Sequence, residues 1–206
     1  QETREKKEKP KGRRSQVLSK RAFAIIEEAR NRLAKEDYVG ALSQLQQIRG
    51  GAKFSAYEKA VALQTEGFVH ADQGNYAKTI QAFEKAANSG DLPPRVVSDL
   101  IYNLAQLNLA EGRNARALDY ITRWFAAMEG EPTADAYGLK AQIHLVMDDL
   151  AAAEQAVRKA LSKVEEPRQN WTKLLLSVLL QQERYDEARP ILEDAALRWP
   201  GVKAFW

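Results

Sequence analysis

"LQTEGFVHADQGNYAKTIQAFEKA", residues 63–86, decides how this chain folds. Gly67 stands nine residues before Tyr76, Gly74 falls between them, and Ile80, Phe83 and Ala86 follow three residues apart. Apolar residues at that spacing share one face of a helix. A glycine between two such stretches suits the left-handed residue that ends a helix. The stretch therefore reads as two antiparallel helices joined by a tight turn, with a small residue where their backbones come close.

The same pattern recurs in "DYVGALSQL" (37–45), "RNARALDYITRW" (113–124), "DLAAAEQAVRKA" (149–160) and "RYDEARPILEDA" (184–195). Tyr38, Tyr76, Asn114, Leu150 and Tyr185 are its anchors, separated by 38, 38, 36 and 35 residues. Three residues after each comes a small partner: Ala41, Thr79, Ala117, Ala153 and Ala188. Nine residues before each lies a second one, Ala29, Gly67, Ala105 and Ala141, replaced by Leu176 in the last copy.

These residues resemble the tetratricopeptide repeat, a helix–turn–helix of about 34 residues that stacks on its neighbours. The resemblance covers residues 15–198. It implies an all-α chain: a right-handed α-solenoid of about five helix pairs, with units at roughly 15–50, 54–88, 93–129, 133–164 and 169–198. Asn114 and Leu150 depart from the aromatic anchor, and Leu176 puts the close packing of the last pair in question. Pro93 and Pro94 open a helix, while Glu131-Pro132-Thr133 and Glu166-Pro167 separate units. Pro190 falls early in the last helix and should bend it modestly.

The chain has 206 residues, a hydrophobic content of 45% and no cysteine. Disulfides, thiolate catalysis and Cys-ligated zinc are thereby excluded. The net charge of +3 is uneven. Residues 1–14 hold seven Lys/Arg against three Glu, a balance of +4, which leaves −1 for the remainder. A segment so charged cannot bury a core and is expected to be a disordered basic tail. It reads either as a solvated linker or as an arm for phosphate or anionic lipid.

His70 and His144 both lie six residues before an anchor, where the repeat uses a packing residue, and no carboxylate recurs beside them at ligand spacing. No phosphate-cradling loop or nucleophile motif is present. The expectation is a non-enzyme with no cofactor and no metal. The near-neutral body offers no basic stripe, so nucleic acid is not an expected partner.

Protein binding remains. The inner, concave surface of a helical array is lined by one face of each first helix. By register that face carries Gln64, Phe68, Asp72, Tyr102, Gln106, Gln142, Asn170, Lys173 and Ser177. Carboxamides donate and accept at once and aromatic faces add contact area, which suits an extended segment or a helix of a partner protein. The other reading is a solvated groove whose polar groups only maintain solubility. Lys173 alone does not make the repeated Lys/Asn clamp that grips a terminal carboxylate in the chaperone-tail class of these repeats.

Leu104-Ala105-Gln106-Leu107, Arg123-Trp124-Phe125, Asn170-Trp171 and Phe205-Trp206 are similar to motifs of the periplasmic tetratricopeptide proteins associated with TonB–ExbB–ExbD systems. That resemblance implies a periplasmic, non-catalytic adaptor contacting TonB, ExbB/ExbD or an outer-membrane receptor. Another cell-envelope or cytosolic assembly, or association with membrane or nucleic acid through the tail, are the alternatives.

Two further expectations concern aromatic residues. "RWPGVKAFW" (198–206) ends a helix without the polar cap that a helical array needs. The array would then continue beyond the C-terminus, fold Trp206 back as a cap, or stack two copies into a homo-oligomer. Trp124 and Phe125 should pack between the third and fourth units, with Gly138 and Ala141 offering room.

Overall fold

The computed structural model describes residues 16–202. The basic tail and the C-terminal Phe205-Trp206 pair lie outside the described residues. Among these, ten α-helices and no strand occur. They form five successive pairs: α1 (Lys20–Leu33) with α2 (Tyr38–Gly50), α3 (Ala56–Asp72) with α4 (Tyr76–Ala87), α5 (Pro94–Ala110) with α6 (Asn114–Ala127), α7 (Ala134–Val146) with α8 (Leu150–Leu161), and α9 (Gln169–Gln181) with α10 (Tyr185–Arg198). No described helix is long and apolar enough to cross a membrane.

Each anchor is the first residue of its pair's second helix. The turn before it is the same in all five pairs. The residue two before the anchor has positive φ: Glu36, Gly74, Gly112, Asp148 and Glu183, at 58–69°. The amide of the next residue then donates to the carbonyl six before the anchor, as in Asn75 N–H to His70 (2.8 Å) and Asp149 N–H to His144 (2.9 Å). This is the Schellman closure, which satisfies carbonyls that a helix end would otherwise leave bare. The side chains of Asp37, Asn75 and Asp149 then cap the second helices by accepting from Gly40, Lys78 and Ala152. Arg113 and Arg184 stand at the same position without a side-chain cap.

The chain divides into two compact units, residues 1–97 and 98–206. In the first, α1 packs on α2, α2 on α3, α3 on α4, and α1 also on α3. Ile26, Leu45, Ile48, Val69, Ile80 and Phe83 fill its core around Ala29, Ala41, Gly67 and Thr79. Thr79 replaces alanine without leaving a bare hydroxyl, because its Oγ1 donates to the Asn75 carbonyl at 3.0 Å. Glu58 ties the starts of two first helices together. One of its oxygens accepts the Ser19 amide at 2.9 Å, and the other accepts the Ser55 amide at 2.7 Å.

In the second unit one core cluster joins α5, α6 and α7 around Ala105, Ala117, Ile121, Trp124, Leu139 and Ile143. A second joins α7 to α10 around Ala141, Val157, Trp171, Val178, Leu179 and Ala195. Leu176 is buried within it, as is Ala188, so the large residue is absorbed. α10 runs unbroken through Pro190. Pro190 sits on the helix's exposed side.

Candidate protein-interaction surfaces

The expected face is distributed over four first helices. Gln64, Phe68 and Asp72 succeed one another at spacings of four on α3, in the first unit. Phe68 is 44% exposed, yet its ring is fixed edge-on against Phe83 at 5.2 Å. Asp72 accepts the Tyr38 hydroxyl at 3.0 Å, which helps hold that phenol above its ordinary pKa. In the second unit Tyr102 and Gln106 lie on α5, Gln142 on α7, and Asn170, Lys173 and Ser177 on α9. Gln106 and Asn170 are exposed, and Gln142, Lys173 and Ser177 are half-buried. Ser177 accepts from Gln181 at 3.2 Å.

Tyr102 is half-buried, and burial, with the Asp135 charge adding, pushes its phenol up. Its ring meets Trp124 at 5.2 Å, tilted by 52°; Trp124 meets Phe125 edge-on at 5.5 Å, which meets Tyr137 edge-on at 5.1 Å. One aromatic row thus runs from α5 through α6 to α7. Trp124 is 8% exposed, a packing residue as expected. The room at Gly138 is taken by a different indole: a Cβ there would strike Trp171, which crosses from α9. Gly138 therefore serves α7–α9 stacking, and Trp124 is accommodated by the row and by Ala136, Leu139 and Ile143.

His70 and His144 are 7% and 9% exposed. His70 Nδ1 lies 3.0 Å from Gln73 Oε1, and His144 Nδ1 lies 3.1 Å from Asp149 Oδ2. Both rings border open grooves that the expected face does not include. One, of about 620 Å³, lies between α7 and α8 and is lined by Tyr137, Lys140, His144, Gln155, Lys159 and Ser162 among others. The other, of about 560 Å³, is lined by α3 with α2 and α4 on either side, including Arg49, Glu66, His70, Lys78, Gln81 and Lys85.

The two grooves occupy the same register. Leu63, Glu66 and His70 stand 13, 10 and 6 residues before Tyr76, and Tyr137, Lys140 and His144 stand at those distances before Leu150. Gln81, Ala82 and Lys85 correspond likewise to Gln155, Ala156 and Lys159. Phe68 and Gln142 lie two residues from His70 and His144, about 200° around the helix at 3.6 residues per turn. The grooves therefore open on the opposite side of the first helices from the expected face. Sequence reasoning passed over them, although Gln and Lys recurring five and nine residues after an anchor were a usable signal.

Residues 134–162, essentially the α7–α8 pair, match the family model of the tetratricopeptide repeat. No curated protein sequence matches the chain. Among solved structures, the chain is similar to MamA 41-end from Desulfovibrio magneticus RS-1, with TM-score 0.72 and 16% identity over 91% of this chain and 99% of that one. A tetratricopeptide repeat protein from Parabacteroides merdae superposes with TM-score 0.73 and 18% identity, over 91% and 70%. YrrB, described as a TPR protein with an unusual peptide-binding site, gives TM-score 0.73 and 18% identity over 89% of each chain. At these identities the likeness is one of fold, and the fold is that of a tetratricopeptide solenoid.

Proposed function

We propose that the chain is a non-enzymatic interaction scaffold whose first helices receive an extended segment of a partner protein. The observation that carries this reading is Phe68, a large apolar ring left 44% exposed yet immobilised against Phe83, with Gln64 one turn before it. A fixed aromatic face loses little freedom on binding, and a neighbouring carboxamide can pair with a partner's backbone. The peptide-binding site ascribed to YrrB gives the same fold a precedent for such a role.

Within that reading, the partners belong to a TonB-dependent transport system in the bacterial periplasm: TonB, ExbB/ExbD or an outer-membrane receptor. Support comes from the short runs Leu104–Leu107, Arg123–Phe125 and Asn170-Trp171. The test is site-specific photo-crosslinking from positions 68 and 106 of the full chain in cells carrying a tagged TonB or receptor. Adducts with those components are expected. Adducts confined to cytosolic proteins would overturn the transport assignment, and none from either position would overturn the face.

A further inference from the structure

We infer that the groove between α7 and α8 is a second docking surface, shaped for an acidic stretch of a protein partner whose carboxylates lie against Lys140 and Lys159. Its lining carries Lys140, His144, Arg158 and Lys159 and no carboxylate, in a body whose charge beyond the tail is only −1. Its volume of about 620 Å³ falls within the range of ligand-binding clefts. Gln155 and Ser162 add groups that can both donate and accept, and Tyr137 supplies an apolar side.

The equivalent groove over α3 shows what is missing. There the residue ten before the anchor is Glu66, whose carboxylate pairs with Arg49 and stands within 3.9 Å of His70. That groove brings its own acid. In the α7–α8 groove the same register position is Lys140, so a carboxylate has been exchanged for a cation while Gln155, Ala156 and Lys159 repeat their counterparts. Two nearby acids engage groups of the lining itself: Glu154 binds Arg158 as well as Arg184, and Asp149 places Oδ2 3.1 Å from His144 while Oδ1 caps α8. Glu131 binds Lys163, so the groove's charge for a partner rests on Lys140 and Lys159. Lys140 is held with its ammonium 5.0 Å from the Phe125 ring centre, so little motion is lost when it meets an anion. A concave site lined by one sign of charge attracts the other and sets which partner is accepted.

The inference is independent of the face bearing Phe68. Its test is fluorescence anisotropy on the full chain with a fluorescein-labelled Glu/Ser peptide, the Gln/Ser peptide serving as control. Lys140→Gln with Lys159→Gln should weaken binding about tenfold or more, whereas Lys78→Gln with Lys85→Gln should change it by less than about twofold. Equal losses in the two double variants, or none in the first, would overturn the proposal. The charge-reversed Lys140→Glu, Lys159→Glu chain should gain binding of a Lys/Ser peptide, which a merely unfolded variant would not. Displacement of the acidic peptide by inorganic phosphate or a short oligonucleotide at lower concentration than by unlabelled peptide would also overturn it. Crosslinks from positions 68 and 106 should survive every one of these changes, so failure here and failure of the first surface are separable.

Discussion

Gly67 lies directly against the ring of Phe83: a Cβ built on it would collide with two of the ring's carbons. The same two register positions hold Ala29 with Leu45, Ala105 with Ile121, and Ala141 with Val157, all buried. Only the pair with the largest second-helix side chain uses glycine. Gly67→Ala should therefore cost about 1–3 kcal/mol by overpacking. Combined with Phe83→Leu, which recreates the Ala29–Leu45 arrangement, it should cost less than the two single changes summed. A double-mutant cycle in urea measures the coupling; strict additivity would refute the steric account.

Trp124 joins Tyr102 to Phe125 and fills the α5–α7 core. Trp124→Ala should cost about 3–5 kcal/mol, the range of buried aromatic truncations. Chemical denaturation gives the figure. A loss under about 1 kcal/mol would mean that the aromatic row contributes little to holding these helices.

Asn108 is fully buried and its Oδ1 has no hydrogen-bond partner. Its Nδ2 donates to the Leu104 carbonyl at 2.7 Å, an acceptor that the helix backbone can serve without it. Leu179 holds the same position in the last pair and is fully buried. Asn108→Leu should accordingly stabilise the chain by about 1–2 kcal/mol, since a bare buried oxygen carries a desolvation cost of that order. A thermal melt that fails to rise would count against the orphaned oxygen.

Glu58 is the acid-sensitive joint. Burial opposes its ionisation, but hydrogen bonds from Ser19 and Ser55 outweigh burial and hold its pKa at about 2, below the ordinary 4.5. A folded pKa depressed in this way stabilises the chain fully above the unfolded value, and the contribution is lost as pH falls from about 4.5 towards 2. Glu58→Gln should remove roughly 2–3 kcal/mol at neutral pH and flatten the stability profile across that window. An unchanged acid limb in the variant would locate the sensitivity elsewhere.

Glu183 adopts φ 58° with an ordinary L side chain. Left-handed backbone costs a non-glycine residue about 1–2 kcal/mol. Glu183→Gly should relieve more than it adds in unfolded-state entropy, for a net gain of about 0.5–1 kcal/mol, readable as a higher melting temperature. Destabilisation would show that the carboxylate side chain contributes more than its backbone costs.

The fold was legible because burial repeats. The small residue three after each anchor and the residue nine before it, small in all but the last pair, are buried throughout, and a pattern of that kind survives substitution at the anchor itself, as at Asn114 and Leu150. The turns were half legible. Gly74 and Gly112 announce a left-handed residue, whereas Glu36, Asp148 and Glu183 do the same work with side chains that signal nothing. The partner of Gly138 was misjudged because Trp124 and Trp171 are both large and lie on either side of it in sequence. Only the α7–α9 crossing selects Trp171. Faces can be assigned from register, but grooves need a second helix to wall them. The basic α7–α8 groove therefore emerged from the structure although its lysines were in plain view.

Every hairpin turn places its left-handed residue two positions before the next helix, while the links between pairs run to five, six, six and seven residues. The first class is tied to a hydrogen-bonding frame that tolerates no change of length; the second is not. A fluorescent reporter or an affinity epitope spliced in at Glu129–Gly130 should therefore leave the helices intact. The same insert between Gln73 and Asn75 would tear α3 from α4. That contrast marks the joints at which this chain can be lengthened, cut or recombined.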